Sequence, residues 1–229
     1  MTSITVYLEV GTRRVFAAAL DWPGWCRGGR DEPAALAALV AYAPRYAAAL
    51  GTAAGGLALP RNVAALEVVE RIPGDATTDF GAPGAVPPSD GRPLEDGEAA
   101  RLATLLAAAW AAFDASAAAS VGRELRTGPR GGGRSVDAMV DHVRGAEEAY
   151  LHRLGGRAAG DATADPGEAM ARIRAAFSET LAARVRGDEP PPGRRRAPLW
   201  PPRYAVRRSA WHALDHAWEL EDRRLPADG

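Results

Sequence analysis

The sequence predicts an α+β unit at the N-terminus followed by an all-α four-helix bundle. Two observations carry this. Short β-branched and aromatic runs dominate before residue 73, whereas apolar residues recur at helical spacing after residue 94. Between them, residues 73–93 hold five prolines and four glycines, the composition of a linker or extended arm. The predicted division is a small α+β domain at 1–75, a Pro/Gly-rich linker at 76–93 and a helical domain at 94–229.

Each element has its own signal. "SITVYLEV" (3–10) reads as a strand, "GTRR" as a turn and "VFAAALD" (15–21) as the hairpin partner. A Gly/Pro loop follows. Asp31 is placed to cap a helix over about 33–50, with Pro33 in its first turn and Pro44 kinking or splitting it. "ALEVVERI" (65–72) completes a β-β-α-β order. Four helices are then predicted at 94–118, 135–155, 165–187 and 203–225. Ser135 and Asp165 are starting caps, and Gly155 and Gly187 are ends. Four such helices joined by Gly/Pro-rich loops form the pattern of a bundle.

Composition excludes several chemistries. All 28 basic residues are arginine, so there is no Schiff-base lysine and no phosphate-loop lysine. One cysteine, Cys26, rules out a disulfide within the chain and a multi-cysteine zinc site. Cys26 lies between Trp25 and an arginine. It reads as a small apolar residue, with an arginine-activated thiol as the alternative.

The start, "MTSITVYLEVGTRR", lacks the pattern of a signal peptide, and no apolar run suggests a membrane span. The expected setting is therefore cytoplasmic, without membrane contact. Net charge is −1. Residues 1–75 carry seven arginines against seven acids, and residues 94–229 carry twenty against twenty. Neither has the basic excess that nucleic-acid binding needs. The basic stretch at 193–198 and the glycine run at 128–135 read as solvated connectors.

The chemistry points to histidine. Of four histidines, His212 and His216 stand four apart in "RSAWHALDHAWELEDR" and share one helix face. Two imidazoles so placed chelate a metal ion, or hydrogen-bond half-buried within a bundle. No glutamate follows the first histidine, so the metalloprotease motif is absent. His142 lies mid-helix beside the apolar Met139, Val143 and Ala146, on the side that faces a core. His152 falls about 80° around that helix at its end and reads as a surface or capping residue.

Glu219 follows His216 by three residues. It is a candidate acceptor for an imidazole N–H, a candidate catalytic proton acceptor, or a salt-bridge partner of Arg208 or Arg223. Asp215 flanks this stripe, Asp141 reads as solvated, and Trp211 and Trp218 read as core.

The stretches "RSVDAMVDHVRGAEEAYL" and "RRSAWHALDHAWELEDR" resemble the DinB/YfiT-like metal-binding four-helix bundles, over about residues 94–225. The resemblance implies a divalent-metal site of His142, His212 and His216, with coordination positions left for water or a thiol. Zinc is the first expectation, with nickel or iron as alternatives. It further implies a thiol-dependent transferase or isomerase using a low-molecular-weight thiol, of mycothiol type for a high-GC, arginine-rich chain.

"VFAAALDWPGWCRGGRDEPAALAAL" resembles the HicB-like antitoxin fold, which implies a partner-binding module. Two classes therefore stay open. One is an enzyme acting on a small molecule or thiol. The other is a non-catalytic metal- or ligand-binding interaction protein. A purely structural metal site and a homodimer are also compatible with the sequence.

Overall fold

The structure is a computed structural model describing residues 3–127, 133–159, 165–189 and 198–225. It opens with a four-stranded sheet and continues as a mostly helical region. The strands are β1 (Ile4–Val10), β2 (Val15–Ala19), β3 (Cys26–Gly29) and β4 (Leu66–Pro73), arranged β3-β2-β1-β4. β1 and β2 form the expected antiparallel hairpin, with Val10 opposite Val15, and β4 runs parallel to β1.

β3 corrects the predicted β-β-α-β order to β-β-β-α-β. Its four residues, "CRGG", contain two glycines and no alternation, so nothing local marks a strand. Pairing with β2, Ala18 opposite Cys26, creates it. The turn before β3 passes tightly under the last long helix. Gly24 adopts φ +91°, which favours glycine, and a Cβ there would crowd a Leu214 methyl at 2.8 Å and the Ala210 backbone at 3.2 Å.

Helix α1 (Glu32–Leu50) covers one side of the sheet. The Asp31 side chain accepts from the Ala34 N–H at 2.8 Å. The helix continues through Pro44, which sits on its exposed side, while Ala35, Leu39, Ala43, Tyr46 and Leu50 form the buried stripe. By length and composition alone, Glu32–Ala54 is apolar enough to cross a membrane. In the fold its stripe packs against the sheet.

The segment between sheet and helices is built into the fold. It holds a short helix, α2 (Ala76–Phe80), and covers the other side of the sheet, where Tyr7, Phe16, Cys26, Ile72 and Trp211 are buried with Ala82 and Ala85 against them. Glu9, fully buried on β1, accepts from Thr78 Oγ1 at 2.5 Å and from the Gly84 and Ala85 N–H groups at 2.9 and 3.1 Å. Burial still raises its carboxyl above the ordinary range. Asp90 accepts both arms of the buried Arg207 guanidinium at 2.7 and 2.9 Å, and Arg207 also donates to the Ala19 and Leu20 carbonyls.

Four long helices follow: α3 (Asp96–Ala118), α4 (Val136–Leu154), α5 (Pro166–Val185) and α6 (Pro202–Arg223). α3 lies along α6, and α4 packs on both α5 and α6. Glu147 on α4 accepts from Arg174 on α5 at 2.9 and 3.1 Å, and Arg174 reaches Asp114 on α3 at 2.7 Å. One buried apolar cluster runs from Val6 and Leu8 through Leu39 and Tyr46 to Phe113, Leu151, Phe177 and Trp218, so sheet and helices share a core. Most of the 193–198 basic stretch and most of the 128–135 glycine run lie outside the described residues.

Candidate metal centre

α6 is buried on nearly every side, which explains how polar residues come to sit in the interior on its face. His212 and His216 are 6 and 7 % exposed. His142 projects from α4, which packs against α6, and is half-buried. His212 Nε2 stands 3.3 Å from His142 Nε2 and 3.2 Å from His216 Nε2. All three ligand atoms lie within 4.8 Å of one another. Two nitrogens bound to one zinc at ~2.05 Å with tetrahedral angles stand about 3.3 Å apart. The two contacts fit that spacing, and three imidazoles suit zinc, nickel or iron as a donor set.

Burial and nearby charge keep two of these rings, His142 and His212, in the ligating form. Burial first, and then His216 and Arg134, lower the pKa of His142 to about 4. Burial holds His212 well below the ordinary value, with His216 and Arg208 adding to the effect. Both are neutral near pH 7, with a lone pair free. His212 Nδ1 is buried and has no hydrogen-bond partner among the described residues, so its orientation rests on packing between the Tyr150 and Trp211 rings.

Glu219 has both oxygens engaged. Oε2 accepts from His216 Nδ1 at 3.0 Å, and Oε1 accepts from Arg223 at 3.0 Å. The His216 bond is the main reason its carboxyl lies below the usual range. A carboxylate can only accept, so His216 donates from Nδ1 and turns Nε2 to the cluster. Arg223 is itself fixed to the Arg126 and Arg134 carbonyls at 2.8 and 3.0 Å.

The remaining candidates contribute no ligand atom to the cluster. His152 is exposed in the last turn of α4. Asp141 is exposed and pairs with Arg144, while Asp215 pairs with Arg27 at 3.3 Å. Cys26 is buried on the covered side of the sheet, and burial pushes its thiol upward, away from reactivity. Trp211 packs against Phe16 and Trp218 against Tyr42, and both also border open space.

That space is a cleft of about 860 Å³ between α4, α6, α1, β3 and the 77–82 segment, with the three histidines in its wall. Arg27, Tyr42, Tyr150 and Arg208 also line it. Sequence reasoning missed this lining. Partial signals existed: Arg208 precedes His212 by one helical turn, and Tyr150 follows His142 by about two. Compared with protein-family models, curated proteins and solved structures, the chain matches none.

Proposed function

We propose that this chain is a divalent-metal-binding protein whose three-histidine centre serves a thiol-dependent transferase or isomerase reaction on a small molecule. The observation that carries this reading is the convergence of His142, His212 and His216 within 4.8 Å on the wall of a cleft. Three neutral protein ligands beside a cleft leave a fourth position facing space a ligand can enter, which is the arrangement of catalytic rather than structural zinc sites. The four long helices are read as a four-helix bundle of the DinB type, and the setting as cytoplasmic.

A bound divalent ion supplies a lowered pKa to a water or thiol beside it, giving a nucleophile at neutral pH. The chain's residues do the rest. His216 is held in its ligating tautomer by Glu219, and Arg223 keeps Glu219 ionised and in place. With both oxygens occupied, Glu219 acts as a positioning residue. Tyr150 and Trp211 flank the His212 ring.

Cobalt substitution tests the open position. Cobalt-loaded protein should show the visible bands of a four-coordinate site, and a low-molecular-weight thiol such as mycothiol should add a sulfur-to-cobalt charge-transfer band. A spectrum indifferent to thiol would contradict the thiol reading. Bands that also ignore competing anions would indicate a closed, structural site.

A further inference from the structure

Arg208 is the cleft residue that metal binding leaves without a task. It stands one turn before His212 on α6, a rise of about 6 Å. Its guanidinium carbon lies 4.5 Å from the Trp211 ring and 5.6 Å from the Tyr150 ring. The Tyr150 ring in turn lies 5.6 Å from the His212 ring. Arg27 and Arg223 each have a carboxylate, Asp215 at 3.3 Å and Glu219 at 3.0 Å. Among the described residues no carboxylate pairs with Arg208, and its Nη1 is buried without a hydrogen-bond partner. The side chain as a whole is only part-buried and lines the cleft, so an anion entering there meets a guanidinium that no carboxylate among the described residues neutralises. Arg134, exposed at the same cleft, adds positive charge there.

We propose that the cleft binds a small organic carboxylate. Its carboxylate sits on the Arg208 guanidinium, and its body lies along the Tyr150 and Trp211 rings, so that its far end reaches the three imidazoles. The guanidinium fork accepts two oxygens of a carboxylate or a phosphate alike; a monocarboxylate is favoured because its single charge is balanced by one guanidinium that lacks a carboxylate partner among the described residues. What happens at the far end rests on the metal reading. The anion site rests on Arg208 alone.

The test is calorimetric titration of phenylacetate and its neutral analogue phenylacetamide into metal-free and zinc-loaded protein. Phenylacetate should bind about tenfold more tightly than the amide in both states, as a charge-assisted bidentate contact requires. Arg208→Gln should bring the two ligands within about twofold. Arg208→Met, which keeps the apolar stem against Trp211, should do the same and serves if the glutamine variant does not fold. Equal affinities in the wild-type protein, or a preference surviving both substitutions, would overturn the proposal. Failure to retain zinc would instead count against the metal reading, and the metal-free titration would still decide the role of Arg208.

Discussion

His216 offers Nε2 to the cluster only while its proton stays on Nδ1, and Glu219 holds it there at 3.0 Å. Glu219→Gln keeps an acceptor but removes the charge and faces Arg223 with a poor partner. Metal affinity should fall ~10–100-fold while the fold survives, as read by competition with a chelator. Cys26→Ser should leave metal content unchanged, since the buried thiol is not among the ligand atoms that converge. pH tests the His142 environment. Its pKa is 6.5 in the unfolded chain and about 4 in the fold, so the folded state binds fewer protons between these values. The stability of metal-free protein should therefore drop as pH falls from about 6.5 to about 4. His142→Gln should reduce that slope in the melting-temperature profile, the remainder belonging to His212, whose lowered pKa carries the same sign. Glu9, whose carboxyl is raised, carries the opposite sign, which is why the variant must be compared with wild type. At this scale the His212–His216 pair was legible because four-residue spacing fixes a shared helix face. Arg208 and Tyr150 were not, because the register of α4 against α6 is a tertiary property.

Among the elements, the 76–93 segment departs furthest from its composition. Prolines and glycines suggest a spacer, yet Asp90 and the groups that hold Glu9 tie it to the sheet and to α6. Its contacts are single polar anchors separated by irregular chain, a pattern with no period to read. Asp90→Ala would leave Arg207, 5 % exposed at its side chain, without its carboxylate. The expected cost is about 3–5 kcal/mol in denaturant unfolding, the range for one half of a buried pair. Loss of under 1 kcal/mol would show that the Ala19 and Leu20 carbonyls satisfy Arg207 unaided. β3 was illegible for a related reason: "CRGG" becomes a strand only because β2 is beside it. The hairpin, α1 and the four long helices carried local periodicity, with side-chain caps opening α1, α4 and α5, and those signals sufficed.

Over the whole molecule, sheet and helices meet in one apolar cluster, and the cleft takes its wall from both. Sequence texture changes sharply between them, but texture reports local conformation and not which faces are buried together. Leu39 and Tyr46 of α1 belong to the same cluster as Phe113 and Trp218. Far-UV and near-UV circular dichroism should therefore report one coincident unfolding transition for the metal-free chain. Two separated transitions would mean that the halves are independent. The central claim, that three histidines from two helices hold one divalent ion, is tested most directly by elemental analysis of protein purified after zinc supplementation. About one ion per chain is expected in the wild type and in His152→Ala, with loss of the ion in His212→Ala and His216→Ala variants that remain folded. A wild-type protein free of metal, or full occupancy in a folded variant lacking both His212 and His216, would contradict it.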